Sequence, residues 1–191
     1  MNSTDKNVEA LKAVEWLFSC LDIKLPKETP QRFVDMMRFL TSYNNISNKE
    51  IAEKVNKTFE IDSKTNSKNM VIVKNIDAFS LCKHHIALMY DMKISIAYIP
   101  SGFVLGLSKI VRLVDMVCKR LQLQERIGED ILEVMEILTK SKNVAVNIRA
   151  KHSCVTARGI QNVSSETVTN HFSGIFKEKE DYQKLFLNSL N

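Results

Sequence analysis

No stretch of this 191-residue chain approaches the roughly 18 consecutive apolar residues of a membrane span, so no membrane partner is expected. The opening residues, Met1-Asn2-Ser3-Thr4-Asp5-Lys6, lack the basic start and apolar core of a secretory signal, and the expected location is cytoplasmic. There is no Arg/Lys block interleaved with aromatics, which argues against nucleic acid as a partner. Neither an internal repeat nor a low-complexity tract is present. Cysteine is scarce, at four residues, and in a chain of this length that does not make a disulfide framework. In a reducing compartment, Cys grouped with His points instead to metal binding or catalysis. Cys20 and Cys118 lie within apolar helical patterns and read as small buried hydrophobes.

What is present is ordinary for a globular protein: 45% hydrophobic and 26% charged residues. The length fits one domain with a helical extension. A net charge of +5 points to anionic partners, and a concentrated patch binding one polyphosphate would use that surplus.

Residues 7–22 place Val8, Leu11, Val14, Leu17 and Phe18 at helical spacing, and Pro26 ends that helix. Thr29-Pro30 predicts an N-cap with Pro at the first helical position, followed by Phe33, Met36, Met37 and Leu40 turned inward. Ser47 and Glu50 form the capping box of a third helix, with Ile51, Val55 and Phe59 on one face. These helices read as packing or oligomer surface. The polar run 61–69 marks the expected boundary between a helical extension over 1–60 and a catalytic domain over 70–191.

A strand is expected from Met70 to Val73, running toward Phe79 and delivering Cys82. Another is expected from Lys93 to Tyr98, stopped by Pro100. Ser108 is the expected N-cap of a helix burying Ile110, Val114, Val117 and Leu121. A second helix, from near Gln124 to Asn143, buries Ile127, Ile131, Val134 and Leu138. The strand from Val144 to Arg149 runs into His152 and Cys154, Thr167 to Phe176 reads as a last strand, and 178–190 as a C-terminal helix. The core order is strand, strand, helix, helix, strand, strand, an α+β arrangement.

Two short segments, Cys82-Lys83-His84-His85 and His152-Ser153-Cys154, hold three of the four His and two of the four Cys. Cys82 and His85 are spaced to hold one ion from a strand-end turn, and Cys154 would join them from the other half of the domain. Two thiolates and one imidazole give zinc three protein ligands and leave a fourth position for water. The same residues fit a closed structural zinc with His84 or His152 as fourth ligand, or no metal. His84 and His152 flank the proposed ligands and suit general acid–base work. Ser108, Lys109 and Arg112 fall in the first turn of a helix, where backbone N–H groups and the helix dipole favour an anion. Arg158 can add a bidentate phosphate contact.

With these residues assembled, the chain resembles the GTP cyclohydrolase I family. The resemblance rests on Met70-Val71-Ile72-Val73, Cys82-x-His84-His85, Ala97-Tyr98-Ile99-Pro100, Gly106-Leu107-Ser108-Lys109 with Arg112, Gln122-x-Gln124-Glu125-Arg126, and His152-x-Cys154 with Arg158-Gly159. Thr29-Pro30-x-Arg32 and Gly174-Ile175-Phe176 also fit, so the resemblance runs from Thr29 to Phe176. It implies a tunnelling fold in which several subunits assemble into a barrel, a homodecamer of two stacked pentamers, and active sites shared between neighbours.

By position, Cys82, His85 and Cys154 would hold Zn2+. His84 and His152 would move protons. Lys109, Arg112 and Arg158, helped by Ser108, would grip the triphosphate of GTP. Glu125, assisted by Gln124, would read the guanine. The implied reaction adds zinc-activated water to C8 of GTP while His84 protonates N7. Formate leaves, and 7,8-dihydroneopterin triphosphate forms, within folate, pterin or deazapurine biosynthesis.

Two departures stand out. Lys83 occupies the position where the family usually has Glu, and Tyr90-Asp91-Met92-Lys93 lacks the Gly common in that hairpin turn. Lys83 keeps two alternatives in view: a paralogue acting on another purine nucleotide or stopping at the formamide, and a noncatalytic nucleotide-binding paralogue.

Overall fold

The computed structural model describes residues 3–60 and 69–190. The polar boundary run at 61–69 therefore falls almost wholly outside the described residues. Two compact units divide at Ser42/Tyr43. The first holds helices α1 (Ser3–Cys20) and α2 (Thr29–Leu40). Within it, Phe18 and Phe33 meet edge to face, ring centroids 6.4 Å apart, and Val14, Pro30 and Val34 are buried. Glu28 rather than Thr29 caps α2, which places Pro30 one position further in. Met36, expected to turn inward, is exposed, as are Val8 and Leu17 of the α1 apolar pattern and Cys20, expected to be buried. An apolar helical pattern fixes which residues share a face, not whether that face is covered.

The second unit begins with α3 (Asn48–Val55). Its Ser47–Glu50 capping box forms with both arms present, and Ile51, Ala52 and Val55 are buried in the main core. The helix stops at Val55, so Phe59 does not continue its face. Phe59 instead lies exposed on β1 (Thr58–Glu60).

Then come β2 (Val71–Cys82), β3 (Ala87–Tyr98), β4 (Phe103–Leu105), α4 (Leu107–Cys118), β5 (Leu121–Gln122), α5 (Gln124–Thr139), β6 (Val144–His152), α6 (Ser153–Thr156), β7 (Thr167–Phe172), α7 (Ile175–Glu178) and α8 (Glu180–Asn188). A five-stranded sheet runs β5-β2-β3-β6-β7, antiparallel except for the β5–β2 pair, and β1 pairs with β4. The expected two-strand, two-helix, two-strand order is visible here with short strands added.

The apolar faces of α4 and α5 supply Ile110, Leu113, Val114, Val117, Ile127, Ile131, Val134 and Met135 to the main core, against Met89, Ile94, Ile96, Val146 and Ile148 of the sheet. Leu121, expected to complete the α4 face, sits half-buried in β5 instead. A smaller cluster beneath Ala97 and Ala145 is filled by Phe176 and Phe186. The last strand ends at Phe172 rather than Phe176, because Gly174 turns the chain at φ +52. A Cβ there would meet Asn143 Oδ1 and Lys142 O at 2.4 Å, so only glycine fits.

Strand β3 also starts earlier than its sequence pattern, absorbing Tyr90 to Lys93. These residues form a bulge inside the strand, not a hairpin turn, and Asp91 takes φ +48 there. Asp is one of the few residues besides glycine that tolerate this conformation.

Candidate metal centre

Strand β3 lies between β2 and β6, and both neighbours finish beside its first residues: Cys82 pairs with Ala87, and His152 with Met89. The chain leaving His152 winds straight into α6, which carries Cys154. Tyr90 Oη and Thr156 Oγ1, 3.0 Å apart, tie that short helix back to β3. Ligand atoms of Cys82, His152 and Cys154 consequently lie within 4.8 Å of one another, the one such group among the described residues. Cys82 is buried, and the other two are half-buried.

The donor set fits a soft dication. Burial pushes the Cys154 thiol up, and the Cys82 charge and hydrogen bond push it the same way, with Arg158 opposing. Two adjacent thiols cannot both ionise cheaply unless a cation sits with them.

Gln124 completes this end. It is 1% exposed, at the first position of α5. Its amide Nε2 donates to Ile148 O (3.2 Å), Thr167 O (3.1 Å) and Thr169 Oγ1 (3.3 Å). Oε1 is thereby turned toward His152 Nε2 at 2.8 Å. An amide oxygen only accepts, so Nε2 of His152 carries the proton, and Nδ1 keeps its lone pair for a metal or a proton. Burial lowers the His152 pKa, and the neighbouring Glu125 carboxylate pulls it back up. Glu125 itself is exposed, one residue into α5.

His84 and His85 occupy the exposed β2–β3 turn, their rings edge-on with centroids 6.3 Å apart. His85 lies outside the 4.8 Å group. Lys83 is exposed beside them, its N–H donating to Gln122 O.

The basic residues of α4 lie elsewhere. Helix α4 starts at Leu107, two residues earlier than a Ser108 cap would allow. Gly106 is the N-cap and offers no side chain. Ser108 and Arg112 are exposed and Lys109 half-buried. The other end of α4 runs into β5, where Gln122 pairs with Cys82. The twelve residues of α4 span about 17 Å, with Lys109 in the first turn and Arg112 midway along it. Arg158 lies exposed in the loop after α6, near enough for its charge to act on Cys154.

Sequence reasoning assigned no role to Arg120, Asp130, Gly128 or His171. Arg120, 8% exposed, pairs with Asp130 Oδ2 at 3.0 Å and also donates to Asn48 Oδ1, Tyr43 O and Ile46 O. Arg126 holds the other Asp130 oxygen at 2.9 Å. The Arg126–Asp130 spacing of four was the legible signal. Gly128 and His171 meet between α5 and β7.

A thiol–imidazole cluster at the ends of two strands flanking β3 is a group that could hold a soft metal in an α+β protein. The profile described as GTP cyclohydrolase I matches residues 12–191. The GTP cyclohydrolase 1 of Clostridium acetobutylicum is 49% identical over 155 residues, covering 81% of this chain and 80% of that protein. The GTP cyclohydrolase 1 of Ruminiclostridium cellulolyticum is 52% identical over 153 residues, 79% and 78% of the two chains. The chain belongs to the GTP cyclohydrolase I family.

Proposed function

We propose that this chain hydrolyses GTP, opening the imidazole ring of guanine and giving formate and 7,8-dihydroneopterin triphosphate. The observation that carries the reading is the convergence of Cys82, Cys154 and an imidazole beside the Gln124-Glu125 start of α5, in a member of this family. Residues 70–191 would carry the chemistry.

Zn2+ would be held by Cys82, His85 and Cys154, and when bound it lowers the pKa of water and so supplies the nucleophile. His84 gives a proton to N7. His152, oriented by Gln124, relays protons through Nδ1. Glu125 accepts the N1–H and 2-amino hydrogens of guanine. Lys109, Arg112 and Arg158, with Ser108, hold the triphosphate, so much of the assistance is positioning and fixed charge. A second ligand set, Cys82, His152 and Cys154, is favoured by the 4.8 Å grouping of these residues. Zinc content separates the two: loss in His85→Ala but not His152→Ala supports the first set, and the reverse supports the second.

The distance along α4 motivates the assembly. A basic helix start at the end of α4 away from β5 serves the same substrate if it belongs to a neighbouring copy. Leu107 and Val111, 63% and 46% exposed beside Ser108 and Arg112, give that helix start an apolar surface for docking. A homodecamer of two pentamers in a tunnelling-fold barrel, with shared sites, meets this requirement.

The test mixes zinc-loaded protein with GTP and follows formate together with pterin absorbance. Both products are expected. Formate or formamide without pterin would mean a different ring-opening reaction, and binding without turnover a nucleotide-binding protein.

A further inference from the structure

The fourth histidine has no part in the chemistry above, yet it touches the helix that carries two of the proposed site residues. His171 lies on β7, on the same strand face as Thr169 and Thr167. Gly128 lies on α5 one turn beyond Gln124. A Cβ at Gly128 would fall 2.1 Å from His171 Cδ2, 2.3 Å from Nε2 and 2.6 Å from Cγ. The imidazole thus occupies the volume where any other residue would place its side chain.

Glycine inside a helix is destabilising relative to alanine, and the seat for the ring is what this glycine supplies. Nε2 of His171 is buried with no hydrogen-bond partner among the described residues. The ring is therefore held at that nitrogen by shape and not by a polar contact. Glu129 and Glu125 both lie near enough for their charges to act on it.

Helix α5 consequently rests on β7 at two successive points. Gln124 Nε2 donates to Thr167 O and Thr169 Oγ1; one turn on, the imidazole of His171 fills the notch at Gly128. Gln124 orients His152, and the next residue, Glu125, is the proposed guanine reader. A change in the height of α5 over β7 at the second point would tilt the first.

We propose that His171, keyed into the notch at Gly128, is a positioning residue that sets the first turn of α5 and thereby aims Glu125 at the purine. This rests on the GTP reading of the site. Packing alone would make the pair matter for stability. Aiming Glu125 makes it matter for discrimination between purines, and that difference can be read.

The experiment compares kcat/KM for GTP with that for ITP, which lacks the 2-amino group Glu125 would accept from. The ratio is taken on one preparation, so the fraction of active enzyme cancels. The intact protein should prefer GTP. His171→Ala, which empties the notch, and Gly128→Ala, whose methyl displaces the ring, should each narrow that preference at least threefold. The double variant, with a methyl in the vacated space, should recover it to within twofold. Where His171→Ala gives no soluble protein, His171→Asn keeps a flat polar group and should narrow the ratio in the same direction.

An unchanged ratio in the single variants with a lowered Tm overturns the proposal, leaving only a packing role. A double variant worse than both singles overturns it as well. An intact protein that turns over neither nucleotide overturns the GTP reading beneath it, an outcome the wild-type control reveals before any variant is made.

Discussion

The two ends of α4 present opposite kinds of surface. At the end that meets β5, Cys82 is buried, Cys154 and His152 converge on it, and Gln124 is committed to four hydrogen-bond partners. At the other end Ser108 and Arg112 are exposed, the N-cap is a bare glycine, and Leu107 faces solvent. The first region is finished by its own chain, because strand pairing forces β2 and β6 to end together. The second offers exposed charge and apolar surface. The proposed metal centre needs fixed geometry, whereas the proposed phosphate clamp needs cations that a substrate or a neighbouring copy can reach.

That contrast can be broken from either side. The largest effect should come from Cys154→Ala, which removes one of two thiolates. Bound zinc and turnover should both be lost, and turnover persisting in metal-free protein would contradict the mechanism. Asp130→Ala should come next, because it strands Arg120 in a buried network that anchors the α4–β5–α5 connection. Breaking a buried pair from one side costs about 3–5 kcal/mol, seen as a lower midpoint in chemical denaturation with an unchanged m-value.

Gln124→Ala should leave the fold intact but free His152. Loss of such an orienting partner costs about 10–100-fold in metal affinity or activity, measured by zinc titration alongside kcat. Arg112→Ala should be mildest at the metal end: zinc content unchanged, and KM for GTP raised about tenfold, the low end for a charged hydrogen bond. If zinc content fell with Arg112→Ala, the two regions would not be separable as described.

The sequence made much of this legible, for identifiable reasons. The capping box at Ser47–Glu50 and the apolar faces of α4 and α5 are local signals, and they appear at the expected positions. The approach of Cys154 to Cys82 was inferred from residue chemistry alone. Boundaries were less legible. The bulge at Asp91 and the turn at Gly174 depend on what packs against them, so β3 began earlier and β7 ended sooner than their alternation implied. Cys20 and Met36 lie in apolar helical patterns yet are exposed among the described residues. His171 carried no signal at all, since its partner is a missing side chain 43 positions away in sequence, at Gly128.

By itself, then, the order of residues determined which groups are available: two thiols, three imidazoles near them, a carboxylate and a set of cations, placed at strand ends and helix starts where the backbone exposes them. Which of those imidazoles stands with the thiols, which nitrogen of His152 carries its proton, and how far the cations lie from the metal end were decided only by tertiary structure. These are distances between residues far apart in the chain, and strand register and helix seating set them, not local preference.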